Sequence, residues 1–140
     1  MKVFIIDDDA LSSFLTRHWL VREGLGEDVQ TFISAEEALT TIEQCPDELL
    51  PQVILLDLNM PVMSGWELLD ALAPQAARLK NRTQIYILTS SLDLNDEVRS
   101  GDYDLVAAFI HKPIKTEDIH LIRVAAAKAD SKTLQSTEKR

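Results

Sequence analysis

The chain has 140 residues, a formal net charge of −9 at pH 7, and 46% hydrophobic and 26% charged residues. These values are typical of one globular domain. The acidic balance disfavours nucleic acid as a partner, because phosphate backbones are bound by clusters of Lys and Arg. Cys45 is the only cysteine, which excludes an internal disulfide. No apolar run approaches the roughly 20 residues of a membrane span, so we expect a cytoplasmic protein with no membrane partner.

Five short apolar segments predict β-strands. Residues 3–6, 53–56, 85–88 and 105–110 are rich in Val, Ile and Leu, which is typical of strands buried on both faces of a parallel sheet. Residues 29–32 mix apolar with polar side chains and therefore predict an edge strand.

Three helical patterns lie between the first four strands. The buried face of the first helix is predicted from four residues at helical spacing: Leu11, Phe14, Leu15 and His18. Ser34 with Glu37, and Ser64 with Glu67, form capping-box pairs that start the second and third helices. Pro74 should end or kink the third helix.

Two more helices complete the pattern. The fourth is short, from about Asp93 to Ser100, and the fifth begins near Thr116. Ile119, Ile122 and Ala126 of the fifth helix are expected to face inward. Residues 1–127 are thus predicted to form one domain, and the polar residues 128–140 a flexible tail.

Strands and helices alternate five times along the chain. This order predicts an α/β fold, a (βα)5 doubly wound parallel five-stranded sheet of the flavodoxin-like type with strand order 2-1-3-4-5. In that order the first and third strands are neighbours. The carboxyl ends of the strands at this switch point form the crevice in which such folds bind ligands.

Charged side chains follow the strands at this edge of the predicted sheet. Asp7, Asp8 and Asp9 follow the first strand, Asp57 follows the third, and Lys112 ends the fifth. Asp9 is expected to cap the first helix. The other three acids and the lysine leave a net charge of −2, which is costly in a partly desolvated crevice. One Mg²⁺ would neutralise it, since Mg²⁺ prefers carboxylate and phosphate oxygens.

The same edge offers a nucleophile and partners for a phosphoryl group. A carboxylate can attack phosphorus and form an acyl phosphate. Phosphoryl transfer depends mainly on positioning and on stabilisation of charge. Mg²⁺, Lys112 and the hydroxyl of Thr89, which ends the fourth strand, would together contact the three equatorial oxygens.

Four pieces of the sequence resemble the receiver domain of two-component response regulators. They are residues 4–9 (FIIDDD), residues 56–61 (LDLNMP) with Gly65, residues 87–90 (ILTS), and Lys112 with Pro113. They occur in the order and at the spacing of that family, over roughly residues 2–127.

The resemblance implies a role for each matching residue. Asp57 is the phosphoacceptor. Asp8 binds Mg²⁺ directly, Asp7 binds it mostly through water, and Asn59 contributes its backbone carbonyl; Mn²⁺ is an alternative ion. Asn59 is also expected to modulate reaction rates.

Further residues are implied to transmit the phosphorylated state. Thr89 is the switch hydroxyl, and Lys112 binds the phosphoryl group from a cis peptide with Pro113. Phe109 is the aromatic switch residue, at a position where many receivers have Tyr. Ser91 is expected to modulate rates and to leave access to the site unobstructed.

The resemblance also implies partners. A sensor histidine kinase or a phosphotransfer protein would supply the phosphoryl group, and a downstream effector protein would bind the surface formed by the fourth helix, the fifth strand and the fifth helix. The chain would be a monomer or a weak homodimer. It would be no enzyme toward other substrates, although it would catalyse its own phosphorylation from small donors and its own dephosphorylation. With no output domain expected after residue 127, the signal would leave through a partner.

Three other functions are alternatives to this one. An aspartyl phosphohydrolase would need an acid two residues after its nucleophile, where Asn59 cannot donate a proton. A flavodoxin-like cofactor binder would need a Ser-, Thr- or Gly-rich loop after the first strand, where this chain has three aspartates. The main alternative is a pseudo-receiver that binds partners without being phosphorylated, although such proteins normally lack one of the acids or the lysine.

Overall fold

The computed structural model describes the backbone of residues 1–138 and the side chains of residues 1–128. Within that range the strands are β1 (Lys2–Ile6), β2 (Asp28–Phe32), β3 (Val53–Leu56), β4 (Gln84–Thr89) and β5 (Val106–His111). The helices are α1 (Ala10–Arg22), α2 (Ala35–Gln44), α3 (Gly65–Leu72), α4 (Ala76–Lys80), α5 (Leu94–Ser100) and α6 (Thr116–Glu138). The fourth and fifth helices predicted from the sequence correspond to α5 and α6.

The strands form one sheet in the order β2-β1-β3-β4-β5, and all four neighbouring pairs are parallel. This arrangement confirms the predicted doubly wound α/β fold. β2 lies at an edge, as its mixed composition predicts, and three of its five residues are exposed.

Alternate residues of the strands bury their side chains on opposite faces of the sheet. In β1, Phe4 and Ile6 belong to one apolar cluster, whereas Val3 and Ile5 belong to the other. The first cluster includes residues of α2, α3 and α4, and the second includes residues of α1 and α6. Ile119, Ile122 and Ala126 of α6 are buried, which confirms the predicted inward face.

The predicted buried face of α1 is wrong. The four residues chosen for it, Leu11, Phe14, Leu15 and His18, are all exposed. The helix instead buries Ser13, Thr16 and Leu20. Helical spacing shows which residues share a face of the helix, but it does not show whether that face packs on the sheet or lies in solvent. The side chains of Ser13 and Thr16 are small enough for α1 to pack closely on the sheet.

Pro74 ends α3, as predicted. The helix stops at Leu72, and Pro74 lies in a 3-10 turn, Ala73–Gln75. The connection from Pro74 to β4 contains the short helix α4. Arg78 holds this helix in place, because its guanidinium contacts Asp47 at 2.6 Å and donates to the carbonyl of Ile42 at 2.9 Å.

The backbone of α6 continues to Glu138. It therefore passes residue 127, the predicted end of the domain, as a helix. The side chains of the predicted tail lie outside the described residues after Lys128, so the domain boundary and the flexibility of the tail stay predictions. Among the described residues, no helix combines the length and the apolar character that crossing a membrane would require.

Candidate functional site

Backbone hydrogen bonds fix two acids, Asp7 and Asp57, at the carboxyl ends of β1 and β3. The amide of Asp7 donates to the carbonyl of Phe32 at 3.0 Å, and the amide of Asp57 donates to that of Ile6 at 2.9 Å. Both residues thus continue the parallel ladders just beyond the strands. As a result, one carboxylate oxygen from each of Asp7, Asp8 and Asp57 lies within 4.8 Å of the other two. Asp7 and Asp57 are buried, and Asp8 is exposed.

Lys112 joins these acids from the end of β5. Its Nζ lies 2.6 Å from Oδ2 of Asp7 and 3.7 Å from Oδ2 of Asp57. Its amide donates to the carbonyl of Thr89 at 2.8 Å, which places the β5 end beside the β4 end. The Lys112–Pro113 peptide bond is cis, as the resemblance implies. The structure thus brings together four of the predicted site residues.

The environment of Asp57 works against its ionisation. Burial raises the pKa of this carboxyl above its ordinary value of 3.8, and the charge of Asp7 raises it further. The Lys112 ammonium, the Leu58 amide, which donates to Oδ1 at 2.9 Å, and the side-chain hydroxyl of Thr89 lower the pKa without cancelling the rise. The carboxylate therefore lies where a second positive charge would be stabilising.

The acidic cluster fits a divalent metal ion. Three carboxylates and one ammonium leave a net charge of −2 in a largely buried site. Oxygen ligands at this spacing are what hard cations such as Mg²⁺ prefer. Asn59, predicted to add its backbone carbonyl, lies two residues after Asp57 and is exposed.

Gly65 contributes to the site by having no side chain. A Cβ at this position would lie 2.4 Å from the carbonyl oxygen of Asp57 and 2.9 Å from the Cα of Leu58. The start of α3 therefore lies directly against the backbone of Asp57. The position of Gly65 at N1 of a capped helix, eight residues after an acid that follows a buried strand, is the sequence signal of this close approach.

A network of hydrogen bonds connects Thr89 to α5. Thr89 is fully buried, and its Oγ1 accepts a hydrogen bond from the amide of Ser91 at 3.2 Å. The Ser91 hydroxyl donates to Oδ2 of Asp96 at 2.7 Å, and it accepts from the amide of Asp93 at 3.3 Å. Asp96 was not predicted from the sequence, because an acid in the first turn of a helix is usually explained by the helix dipole.

Phe109 lies on β5, beside α5. It is partly buried against the first apolar cluster, and its ring contacts that of His111 edge to face, with the centroids 5.2 Å apart. His111 Nε2 in turn lies 3.8 Å from Oε1 of Glu97. His111 and Glu97 were not predicted from the sequence.

Val62 adopts a strained backbone conformation in the loop after Asp57. Its φ is 68°, in the left-handed region, and its side chain is 87% exposed. This conformation costs an L-residue about 1–2 kcal/mol. Packing does not compensate for that cost, since the side chain is almost fully in solvent.

The fold and the site define a doubly wound α/β domain with an acidic cluster and one lysine at its switch point. A family model described as the response regulator receiver domain matches residues 3–123. The chain therefore belongs to the response regulator receiver domain family.

Curated relatives agree with this assignment. The chain is 32% identical over 122 residues to the DNA-binding response regulator MtrA of Mycobacterium tuberculosis, covering 84% of this chain and 46% of MtrA. It is 38% identical over 94 residues to the transcriptional regulatory protein YdfI of Bacillus subtilis, covering 64% of this chain and 38% of YdfI. The chain thus spans less than half of the length of these relatives.

Solved structures are similar over nearly the whole chain. A two-component response regulator from Cytophaga hutchinsonii superposes with a TM-score of 0.82 at 27% identity, covering 91% of this chain and 96% of that one. A CheY-like receiver domain protein from Methanospirillum hungatei superposes with a TM-score of 0.74 at 25% identity, covering 94% and 97%.

Proposed function

We propose that Asp57 accepts a phosphoryl group in a two-component or phosphorelay pathway, with Mg²⁺ bound beside it. One observation carries this proposal: the Asp57 carboxylate lies at the switch point of the sheet, within 4.8 Å of oxygens from Asp7 and Asp8 and 3.7 Å from Lys112. Membership of the receiver family supports it.

The reaction requires an ionised Asp57. An oxygen of its carboxylate forms a bond to phosphorus while the bond from phosphorus to the leaving group breaks, and the leaving group departs with the electron pair. Burial raises the pKa of Asp57, so Lys112 keeps the carboxylate available by lowering that pKa. The same ammonium, already 2.6 Å from Asp7, is positioned to contact the incoming phosphoryl oxygens.

Asp7, Asp8, Asp57 and the backbone carbonyl of Asn59 are the residues that would hold Mg²⁺, or Mn²⁺ in its place. When bound, the ion would offset negative charge on the phosphoryl group. The acids also orient the site without it, because Oδ1 of Asp7 accepts the amide of Asp9 at 2.9 Å and thereby fixes the turn into α1.

The phosphorylated state would be transmitted by Thr89 and Phe109. Phosphorylation adds about −1.5 to −2 charges and three acceptor oxygens. The Thr89 hydroxyl would move to bond one of them, and Phe109 would fill the space that it leaves. The surface of α5, β5 and α6 would thereby change shape for an effector protein.

The proposed partners are a sensor histidine kinase or phosphotransfer protein upstream and an effector protein downstream. One relative is itself named a hybrid signal transduction histidine kinase, from Dictyostelium discoideum; it is 29% identical over 125 residues, which cover 86% of this chain and 10% of the kinase. This supports a place for the domain beside a kinase. The cytoplasm as compartment and a monomer or weak homodimer as oligomeric state stay predictions.

Intact-mass spectrometry after incubation with acetyl phosphate tests the proposal. Wild type should gain one phosphoryl adduct in Mg²⁺ and none in a chelator, and Asp57→Asn should gain none. Asp9→Asn is the matched control, since Asp9 is an exposed neighbour that caps α1 and Asn preserves the cap; it should react like wild type. A folded wild type that binds Mg²⁺ but gains no adduct would support the pseudo-receiver instead.

A further inference from the structure

The connection between β4 and α5 contains a continuous hydrogen-bonded path from the buried Thr89 to the protein surface. The Ser91 amide donates to Oγ1 of Thr89 at 3.2 Å, and the Ser91 hydroxyl donates to the carboxylate of Asp96 at 2.7 Å. Bonds to an ionised acceptor are shorter and stronger than neutral ones. The strongest link of the path is therefore the one that attaches the loop to α5.

This path opposes the movement that the proposed function requires. Thr89 must shift toward a phosphoryl group on Asp57, and its Oγ1 is at present an acceptor for the Ser91 amide. A shift of Thr89 lengthens that bond unless Ser91 follows. Ser91 can follow only if its hydroxyl leaves Asp96 or if α5 moves with it.

Little else in α5 competes with this attachment, since the contact of Glu97 Oε1 with Nε2 of His111 on β5 spans 3.8 Å. Ser100 is the only residue of α5 that is buried, whereas Leu94 and Val98 are 74% and 75% exposed. The helix makes no apolar anchor in the sheet, so polar contacts decide its position. At its far end Arg99 lies over the ring of Trp66, 4.4 Å from the centroid, but this contact does not reach the loop of Thr89.

We propose that Asp96 is a positioning residue for the phosphorylation reaction. Through Ser91 it holds Thr89 and the β4–α5 loop in the arrangement of the unphosphorylated protein. This inference rests on the proposed function of Asp57. Asp96 touches neither the phosphoryl group nor the acids; it sets the equilibrium between the two arrangements of the loop. A ligand of Asp57 that prefers the shifted arrangement binds more tightly when that equilibrium is released.

The test uses beryllofluoride with Mg²⁺ as a stable probe of the phosphorylated state. Asp96→Ala and Ser91→Ala should each bind beryllofluoride about fivefold more tightly than wild type, the lower end of typical coupling between sites. The double variant should show no further gain, because both substitutions remove the same link. Asp96→Asn, which keeps an acceptor oxygen, should restore part of the wild-type affinity.

Two measurements, the affinity for Mg²⁺ alone and the affinity of a control variant for beryllofluoride, distinguish this role from a merely structural one. The affinity for Mg²⁺ alone should be unchanged in all these variants, because the three acids are intact. Asp102→Ala removes a carboxylate just beyond the other end of α5, where its side chain makes no hydrogen bond to any described residue, and it should behave as wild type.

Failure of the proposed function and failure of the role of Asp96 would give different results. A wild type that gains no phosphoryl adduct would overturn both the proposed function and this inference. A wild type that gains it, with an unchanged affinity in Asp96→Ala or with additive effects of the two alanine variants, would overturn the role of Asp96 alone.

Discussion

Helices α3 and α5 are joined by the contact of Arg99 with Trp66, yet they are held in the fold by different forces. α3 buries Leu68, Leu69 and Leu72 almost completely. Full burial of each such side chain contributes about 1.5–3 kcal/mol. α5 buries only a serine and leaves its apolar side chains in solvent. The helix that supports the backbone of Asp57 is thus fixed by apolar packing, whereas the helix that follows Thr89 is held by polar contacts that can be exchanged.

The largest expected difference between the two helices is in stability. Leu68→Ala in α3 should lower the free energy of unfolding by about 2–5 kcal/mol, because it opens a cavity in a fully buried cluster. Val98→Ala in α5 should change it by less than about 0.5 kcal/mol. Urea denaturation followed by circular dichroism measures both. Equal losses would show that α5 is packed as tightly as α3.

A smaller loss is expected where α3 meets the site. Gly65→Ala places a Cβ 2.4 Å from the carbonyl oxygen of Asp57, so the backbone has to move. Overpacking of this kind costs about 1–3 kcal/mol. Because the displaced residue is Asp57, phosphorylation by acetyl phosphate should also slow. Gly101→Ala, at the end of α5, is the matched control, with its nearest contact at 3.3 Å. A Gly65→Ala protein with wild-type stability and rate would contradict the close approach.

Ionised Asp57 should lower the free energy of unfolding of the protein. Its pKa is raised in the folded protein, chiefly by burial, so the folded state holds the proton more tightly than the unfolded chain does. The contribution of Asp57 to stability is then fully present below the ordinary carboxyl pKa of 3.8 and is lost as the pH rises through the raised pKa. Without metal, Asp57→Asn should therefore have a higher Tm than wild type at pH 7.

The pH dependence provides the control for this prediction. The gap in Tm between Asp57→Asn and wild type should close as the pH is lowered through the raised pKa of Asp57, because below that pKa Asp57 is protonated in wild type as well. Asp102→Asn, which changes an exposed carboxylate, should show no such gap. A gap of the same size at every pH would mean that ionisation of Asp57 is not its cause.

The same contrast explains which features the sequence could predict. The buried strands and the inner face of α6 follow from apolar periodicity, because apolar packing holds them. Periodicity failed for α1, where the predicted inner face is exposed and the helix buries Ser13, Thr16 and Leu20 instead. The acids and Lys112 were predictable as a set, since parallel strands bring their carboxyl ends to one edge. The link from Ser91 to Asp96 was not, because it depends on the path of a loop.

The smallest expected effect concerns the contact that joins the two helices. Arg99→Ala removes a cation from the face of Trp66, an interaction worth about 0.5–1 kcal/mol at an exposed position. Since α5 has no buried apolar side chain to replace that contact, the loss should fall on α5 alone. Amide hydrogen exchange should therefore become faster in α5 and stay unchanged in α3.

A second cation–π pair in the chain provides the control for Arg99→Ala. The guanidinium of Arg22 lies 5.2 Å from the ring of Trp19, at the end of α1. Arg22→Ala removes a comparable contact elsewhere and should leave exchange in α5 as it is in wild type. Arg99→Lys retains the cation and should exchange more slowly than Arg99→Ala. If Arg99→Ala instead accelerated exchange in α3 and α5 equally, the two helices would open as one unit, and the contrast between a fixed and a displaceable helix would be wrong.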